Sequence, residues 1–273
     1  MELQKASEWF SANLLTLNAK KTKYILFKKP NCHLHLRELS IGGDAISRIG
    51  ESCEEKSFKF LGHHLDENMT WIHHVNHVNN KLISANFALS RSKAFLPPKT
   101  LVNIYRSLFE SHLHFGSVVW GCAKPNILHK LQVQQKKAIR HIKQLKYNAH
   151  TAETFKQLNF LKLDDLISHD QAIFMRNYSN NKLPSSFSNM FSTLPNNIMR
   201  LREDDYNFFY PNVSYAALHF FPTMQLIHNW NKLPVTLKSN SDLSNFRSEL
   251  KLNFISKYET VCHARTCFSC GKT

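Results

Sequence analysis

The spacing of apolar residues becomes helical near His73 and stays so for most of the remaining chain, and that change limits what it can fold into. Downstream, Val75, Val78, Leu82, Ala85 and Leu89 recur every three or four residues, the stripe of one helix from about 73 to 95. Pro97-Pro98 ends it, because proline lacks the amide that a helix interior needs. A second helix begins near Lys99 and is expected to bury Leu101, Ile104, Tyr105, Leu108 and Phe109, with Gly116 to Gly121 as its break. A third follows Pro125 and runs to about Lys146, with Leu128, Leu131, Ala138, Ile142 and Leu145 as its stripe. Three helices with short connections imply a bundle.

Upstream of His73 the pattern is one helix followed by short strands. Residues 2–15 form an amphipathic helix on Leu3, Ala6, Phe10 and Leu14, flanked by Trp9. Asn18 to Thr22 is a turn, and Tyr24 to Phe27 a short buried strand. His33 to Leu39 alternates with the period of two expected of a half-buried strand. Gly42-Gly43 supplies a hairpin turn, and Phe58 to Gly62 reads as a further strand. Beyond residue 150 the helical pattern resumes to Tyr178, residues 184–215 read as a long irregular connector, and Tyr215 to Trp230 and Leu243 to Ile255 as two more helices. The expected fold class is therefore α+β. A small antiparallel sheet with one helix occupies 1–70, a helical basic domain 71–148, a helical downstream region 149–260, and a Cys-rich tail 261–273.

Hydrophobic residues make up 42% of the 273 residues, with 20 Phe, so a substantial core forms and wholesale disorder is excluded. Seven Gly argue against a glycine-looped nucleotide-binding enzyme. No apolar run approaches the ~20 residues of a membrane span, so no membrane partner is expected. Six irregularly spaced Cys do not form a secreted disulfide framework, so a reducing compartment, nucleus or cytoplasm, is expected.

The net charge of +15 is unevenly spread. Residues 75–150 carry 12 Lys/Arg against one acid, Glu110, whereas residues 1–74 carry 10 against 9 and residues 151–273 carry 13 against 10. Such a segment is a footprint for a polyanion. On the third helix, at about 100° per residue, Lys136, Arg140 and Lys143 share one side, Lys130 and Lys137 flank it, and Lys146 extends the run. These six are the candidate nucleic-acid-binding residues. Their contacts would be to phosphates, weakening steeply with salt and carrying no sequence preference. The alternatives are a solvated helix face or a surface for an acidic protein partner.

Several blocks then carry a family resemblance. Trp9-x3-Asn13-x-Leu15-x-Leu17-Asn18-x2-Lys21-Thr22-x-Tyr24-x2-Phe27 resembles the last palm motif of reverse transcriptases from non-LTR retrotransposons of the jockey-like group. Phe58-Lys59-Phe60-Leu61-Gly62-x2-Leu65-Asp66-x3-Thr70-Trp71-x2-His74 is similar to that family's palm-to-thumb junction. Tyr105-x-Ser107-Leu108, Phe115-Gly116-x3-Trp120-Gly121 and Leu131-x2-Gln134-Gln135-Lys136-Lys137-Ala138-x-Arg140 are similar to its thumb. Leu183-Pro184-x2-Phe187 and Trp230-Asn231-x-Leu233-Pro234 are similar to its weaker tail pattern. The resemblance implies a palm remnant, a thumb gripping an RNA or DNA template–primer, and RNA-directed DNA synthesis as the parent activity. It implies that the aspartates holding Mg²⁺ in the intact polymerase, with the fingers and most of the palm, lie before Met1, so this chain alone is expected to be inactive and to need no cofactor. It also places Lys21 near the incoming nucleotide's phosphates, but without the aspartates it has nothing to catalyse, and beside Lys20 and Lys23 it reads first as a surface lysine in a basic turn. The rival reading is a non-enzymatic nucleic-acid-binding protein.

Three further groups invite chemistry. Asp164-Asp165 and Asp204-Asp205 are carboxylate pairs, but one sits in a helical pattern and the other in a polar connector, where both are expected to be solvated. His73 and His77, or His74 and His77, have helical ligand spacing with His63-His64 nearby, but the glutamate of a metalloprotease motif is missing and surface or cap histidines are the expected reading. Cys262-His263-x3-Cys267-x2-Cys270 offers thiolates at a gap that suits tetrahedral zinc, or forms a tail of free thiols.

Overall fold

The computed structural model describes residues 2–27, 39–50, 52–193, 206–211, 221–239 and 242–258. The chain divides into two units, residues 1–74 and 75–273.

In the first unit, helix α1 (Glu2–Ala12) stops where Asn13 turns its side-chain amide onto the Trp9 carbonyl at 2.8 Å. Leu14 then adopts a φ of 59° and stands 95% exposed, so the expected stripe ends one turn early. Strand β1 (Lys23–Ile25) is followed by β2 (Ser40–Ile41), β3 (Asp44–Ala45), β4 (Ser47–Ile49), β5 (Phe58–Phe60) and β6 (His63–Leu65). The small antiparallel sheet expected here is corrected in two respects. The strands form three separate pairs, β2–β3 and β5–β6 antiparallel but β1–β4 parallel, with Tyr24 opposite Arg48. A two-residue turn can join only antiparallel strands, whereas the long connection between β1 and β4 permits the same direction. Both hairpin turns use left-handed backbone at two positions, Gly42-Gly43 and Leu61-Gly62. The strand expected over His33 to Leu39 lies outside the described residues except for Leu39. Ile41, Ile46, Ile49 and Trp71 are buried, and Glu67 accepts from Arg48 at 2.8 Å.

The second unit is helical. Along α2 (Ile72–Ser92), Val75, Val78, Leu82, Ala85 and Leu89 are all buried, as their spacing requires. Helix α3 (Pro98–Tyr105) continues through a π-helical turn (Arg106–Glu110) into α4 (Ser111–His114). The wide turn keeps every fourth residue inward, so Leu101, Tyr105, Phe109 and Leu113 are all buried while Leu108, expected in the core, is 48% exposed. Gly116, with φ of 65°, resets the chain into α5 (Ser117–Trp120). Helix α6 (Pro125–Ile142) buries Leu128, Leu131, Ala138 and Ile142, but ends short of Lys146, leaving Leu145 partly exposed.

Then come α7 (Ala152–Gln157), α8 (Leu163–Ser179), a 3-10 turn (Ser185–Phe187), α9 (Pro222–Asn231), α10 (Val235–Lys238) and α11 (Leu243–Ser256). Helix α8 packs on α4, α5, α6, α9 and α11. Met175, Leu226, Trp230, Phe246 and Leu250 form a buried cluster, joined by Phe191 and Phe208 from the described parts of the connector, which meet at the bridge Thr193–Phe208. The fold class is α+β and mainly helical. No described helix is long and apolar enough to cross a membrane.

Candidate nucleic-acid interface

Helix α6 opens on Pro125, which needs no amide partner in a first turn. Its rotation is fixed by two polar side chains. Buried Gln135 donates to Tyr105 Oη at 3.1 Å and to the Leu161 carbonyl at 2.9 Å, and accepts from the Leu163 amide at 2.9 Å. Asn86 of α2 donates to the Gln134 carbonyl at 3.1 Å. With Gln135 turned inward, Lys136 and Lys137 stand exposed, as do Lys143 and Lys146.

The six basic residues do not form the single ridge that the helical angle suggested. Lys130 donates to Asn76 Oδ1 at 2.5 Å. Arg140 Nε donates to the Ala149 carbonyl at 2.9 Å, and its partial burial lowers its pKa. Lys143 caps α6 and Lys146 lies past its end. Lys136 borders a cavity of about 250 Å³ with Gln132, His150, Thr151 and Lys162. Lys137 instead acts with Lys93, after α2, on His141: burial first, then these two lysines, hold that imidazole below its ordinary value. Lys93 and His141 are additions to the expected set. Lys93 lies in the same acid-poor stretch, and His141 is one helical turn from Lys137, so the signal was present.

Lys21 is exposed in the expected turn, its amide bonded to Asn18 Oδ1 at 3.1 Å. Both Asp164 oxygens accept from Gln132 at 2.9 Å. Asp165 hydrogen-bonds Tyr258, whose hydroxyl accepts from the Lys162 amide at 2.8 Å. Burial, then the Asp164 charge, raise the Asp165 carboxyl, while Tyr258 opposes them. Both acids lie in the first turn of α8, where negative charge suits the helix dipole. Asp164 is exposed as expected, whereas Asp165 is half-buried rather than solvated because Tyr258 packs against it. Among the described residues no group of three or more His, Cys, Asp or Glu is arranged to hold a metal. The rings of His63 and His74 lie 4.9 Å apart beside Trp71, an aromatic cluster. Asp204, Asp205, Cys262, His263, Cys267 and Cys270 lie outside the described residues.

One polar cluster had no signature in the sequence. Asp170 of α8 accepts from His114 Nδ1 at 2.7 Å and from Ser117 Oγ at 2.6 Å. The serine meets the carboxylate rather than the imidazole, so this is not a nucleophilic relay. Burial opposes the Asp170 charge, but the bonds from His114, His169 and Ser117 outweigh it and hold the carboxyl below its usual range. Burial also opposes the His114 imidazolium, yet Asp170 and then Glu110 raise it. Burial raises the Glu110 carboxyl against His114, Lys251 and Arg106. The stabilisation from His114 is full below about pH 6.5 and is lost as pH rises through its raised value; that from Asp170 is present above about pH 4 and is lost as pH falls through its lowered value. Urea unfolding of the chain should therefore show stability falling as pH rises above about 6.5, and His114→Asn should flatten that fall. An unchanged slope would exclude the pairing as its source.

Comparison with known proteins adds a relative. The chain is similar to the RNA-directed DNA polymerase from mobile element jockey of Drosophila melanogaster, at 27% identity over 143 residues. The match takes in 50% of this chain and 15% of that protein. It supports a distant reverse-transcriptase-like relationship. No family model and no solved structure matches the chain. Within the Phe58 to His74 block, the polar residues build local structure: the buried Asp66 carboxylate accepts from the amides of Asn68, Thr70 and Trp71, shaping the turn before α2.

Proposed function

We propose that this chain is a thumb-bearing part of a reverse transcriptase of the non-LTR retrotransposon kind, and that it grips an RNA–DNA template–primer through phosphate contacts. The observation that carries the reading is the exposure of Lys136, Lys137, Lys143 and Lys146 on and after α6, within a stretch of 12 cations and one acid. The similarity to a retrotransposon polymerase supports it. Ammonium groups on a helix whose rotation is locked by Gln135 meet the backbone of a duplex without reading bases, and their affinity comes from released counterions. We assign the Mg²⁺-holding aspartates to the rest of the polymerase, because the acid pair on α8 is committed to Gln132 and Tyr258. The chain by itself grips but does not extend a primer, and Lys21 gains a role at nucleotide phosphates only beside those aspartates.

Binding to an RNA–DNA hybrid, titrated with KCl, tests this. The triple variant Lys136→Glu, Lys137→Glu, Lys143→Glu should bind roughly 10- to 100-fold more weakly at low salt, with a log–log salt slope shallower by about 3. Unchanged affinity would refute the thumb reading, and Mg²⁺-dependent primer extension by the chain alone would refute the assignment of the aspartates elsewhere.

A further inference from the structure

Phosphate gripping accounts for the lysines but not for the aromatic side chains that stand beside them in water. Phe95 is 86% exposed and Tyr147 is 90% exposed. Neither ring hangs on a loose tether. The amides of Phe95 and Leu96 both bond the Ser92 carbonyl at 3.0 Å, and the turn bearing Tyr147 is folded back on α6 by the bond from Arg140 Nε to the Ala149 carbonyl and by Leu145 N to Arg140 O at 2.9 Å. Gln144 Nε2 donates to the Lys93 carbonyl at 3.2 Å, which ties that turn to the end of α2. The two rings are thus borne on segments held together, and Lys93, Lys137 and Lys143 lie on or beside the same segments. The Gln144 bond to its carbonyl brings Lys93 to the end of α6, and Lys93 and Lys137 both act on His141 there. The sequence adds no acid here: the one carboxylate of residues 75–150, Glu110, belongs to the π-helical turn between α3 and α4.

We propose that this end of the helical unit, formed by the ends of α2 and α6 and the turn 143–150, binds an unpaired nucleic-acid strand, with Phe95 and Tyr147 stacking on bases and Lys93, Lys137 and Lys143 holding the intervening phosphates. The proposal rests on the nucleic-acid reading above and deepens it. A duplex hides its base faces, so a protruding ring has nothing to stack on along its length; a single strand offers every base face. An apolar protein partner would use the rings but would have to bury converging lysines without acids, whereas a polyanion suits both. Stacking tolerates any base, so no sequence preference is expected beyond stacking strength. The strand that fits is one that leaves a template–primer duplex unpaired.

The test uses the whole chain with three probes: oligo(dT), a blunt RNA–DNA hybrid, and that hybrid carrying a single-stranded overhang. Phe95→Ala with Tyr147→Ala should weaken oligo(dT) binding about 10- to 100-fold and abolish any preference for the overhang over the blunt hybrid, while leaving blunt-hybrid affinity within about 2-fold. Both side chains are exposed, so circular dichroism should match the parent chain. Phe95→Leu with Tyr147→Leu should behave like the alanine pair, since leucine keeps apolar surface but has no π face. Failure of the chain to bind any of the three probes would sink the nucleic-acid reading itself. Hybrid binding with no oligo(dT) binding, equal loss on all probes, or full oligo(dT) affinity in the leucine pair would overturn the stacking site alone.

Discussion

Arg176→Ala should destabilise the helical unit by about 3–5 kcal/mol. Arg176 lies on α8 with 5% of its surface exposed. Its Nη2 donates to the Leu237 carbonyl at 2.9 Å and to the Lys238 carbonyl at 2.6 Å, both at the end of α10. Its guanidinium carbon lies 4.6 Å from the centre of the Phe246 ring and 5.4 Å from that of Trp230. One side chain therefore joins α8, α9, α10 and α11. Truncation leaves two buried carbonyls without their donor, each a penalty of about 1–3 kcal/mol, and opens a cavity against two aromatic rings. Removing a buried charge returns part of that, which is why the figure is not larger. Arg176→Lys keeps a donor but loses the planar group that stacks on both rings, so its cost should fall between zero and that of alanine. Urea midpoints followed by tryptophan fluorescence measure both variants. A loss below about 1 kcal/mol for alanine would show that the guanidinium is not a structural joint.

The elements best legible in the sequence were those whose evidence is local and periodic. The α2 stripe from Val75 to Leu89 is buried throughout, and Gly42-Gly43 forms the hairpin expected of two adjacent residues free to take positive φ. The π-helical turn was hidden because Leu101, Tyr105, Phe109 and Leu113, spaced by four, also suit an ordinary helix; only the outward rotation of Leu108 reveals it. The parallel pairing of β1 with β4 was hidden because three-residue strands carry too little alternation to declare a partner. At the candidate interface, the helical angle put Lys136, Lys137 and Lys143 on the surface, where they are. It could not show that Arg140 turns to Ala149 or that Lys130 turns to Asn76, 54 residues away. The meeting of His114 with Asp170, across 56 residues, is likewise a product of how α4 packs on α8. Angles on one helix follow from spacing; the partners that divert a long side chain do not.

Asp66→Ala should cost about 2–4 kcal/mol in the first unit. The carboxylate is 4% exposed and accepts within five residues of itself: Asn68 N at 3.2 Å and Thr70 N at 3.0 Å on Oδ1, Thr70 Oγ1 at 3.0 Å and Trp71 N at 3.1 Å on Oδ2. That ring of donors holds Met69 at φ 52° and Trp71 at φ 64°, left-handed conformations that cost roughly 1–2 kcal/mol each for a residue with a side chain. Alanine removes the acceptor and leaves amides unpaired in a turn already under that strain, so the backbone should relax and Trp71, now 2% exposed, should gain water. The substitution Asp66→Asn keeps one oxygen but points an amide at the other donors, and should recover less than half of the loss. Thr70→Ala deletes a single bond and should cost about 1 kcal/mol. Near-UV circular dichroism with urea unfolding reads all three. The same carboxylate could also be suspected of holding a metal, and the variants separate the two roles: with every oxygen engaged by this turn, wild-type stability should not change with added Mg²⁺. A Mg²⁺-dependent rise that Asp66→Ala abolishes would move Asp66 from scaffold to ligand.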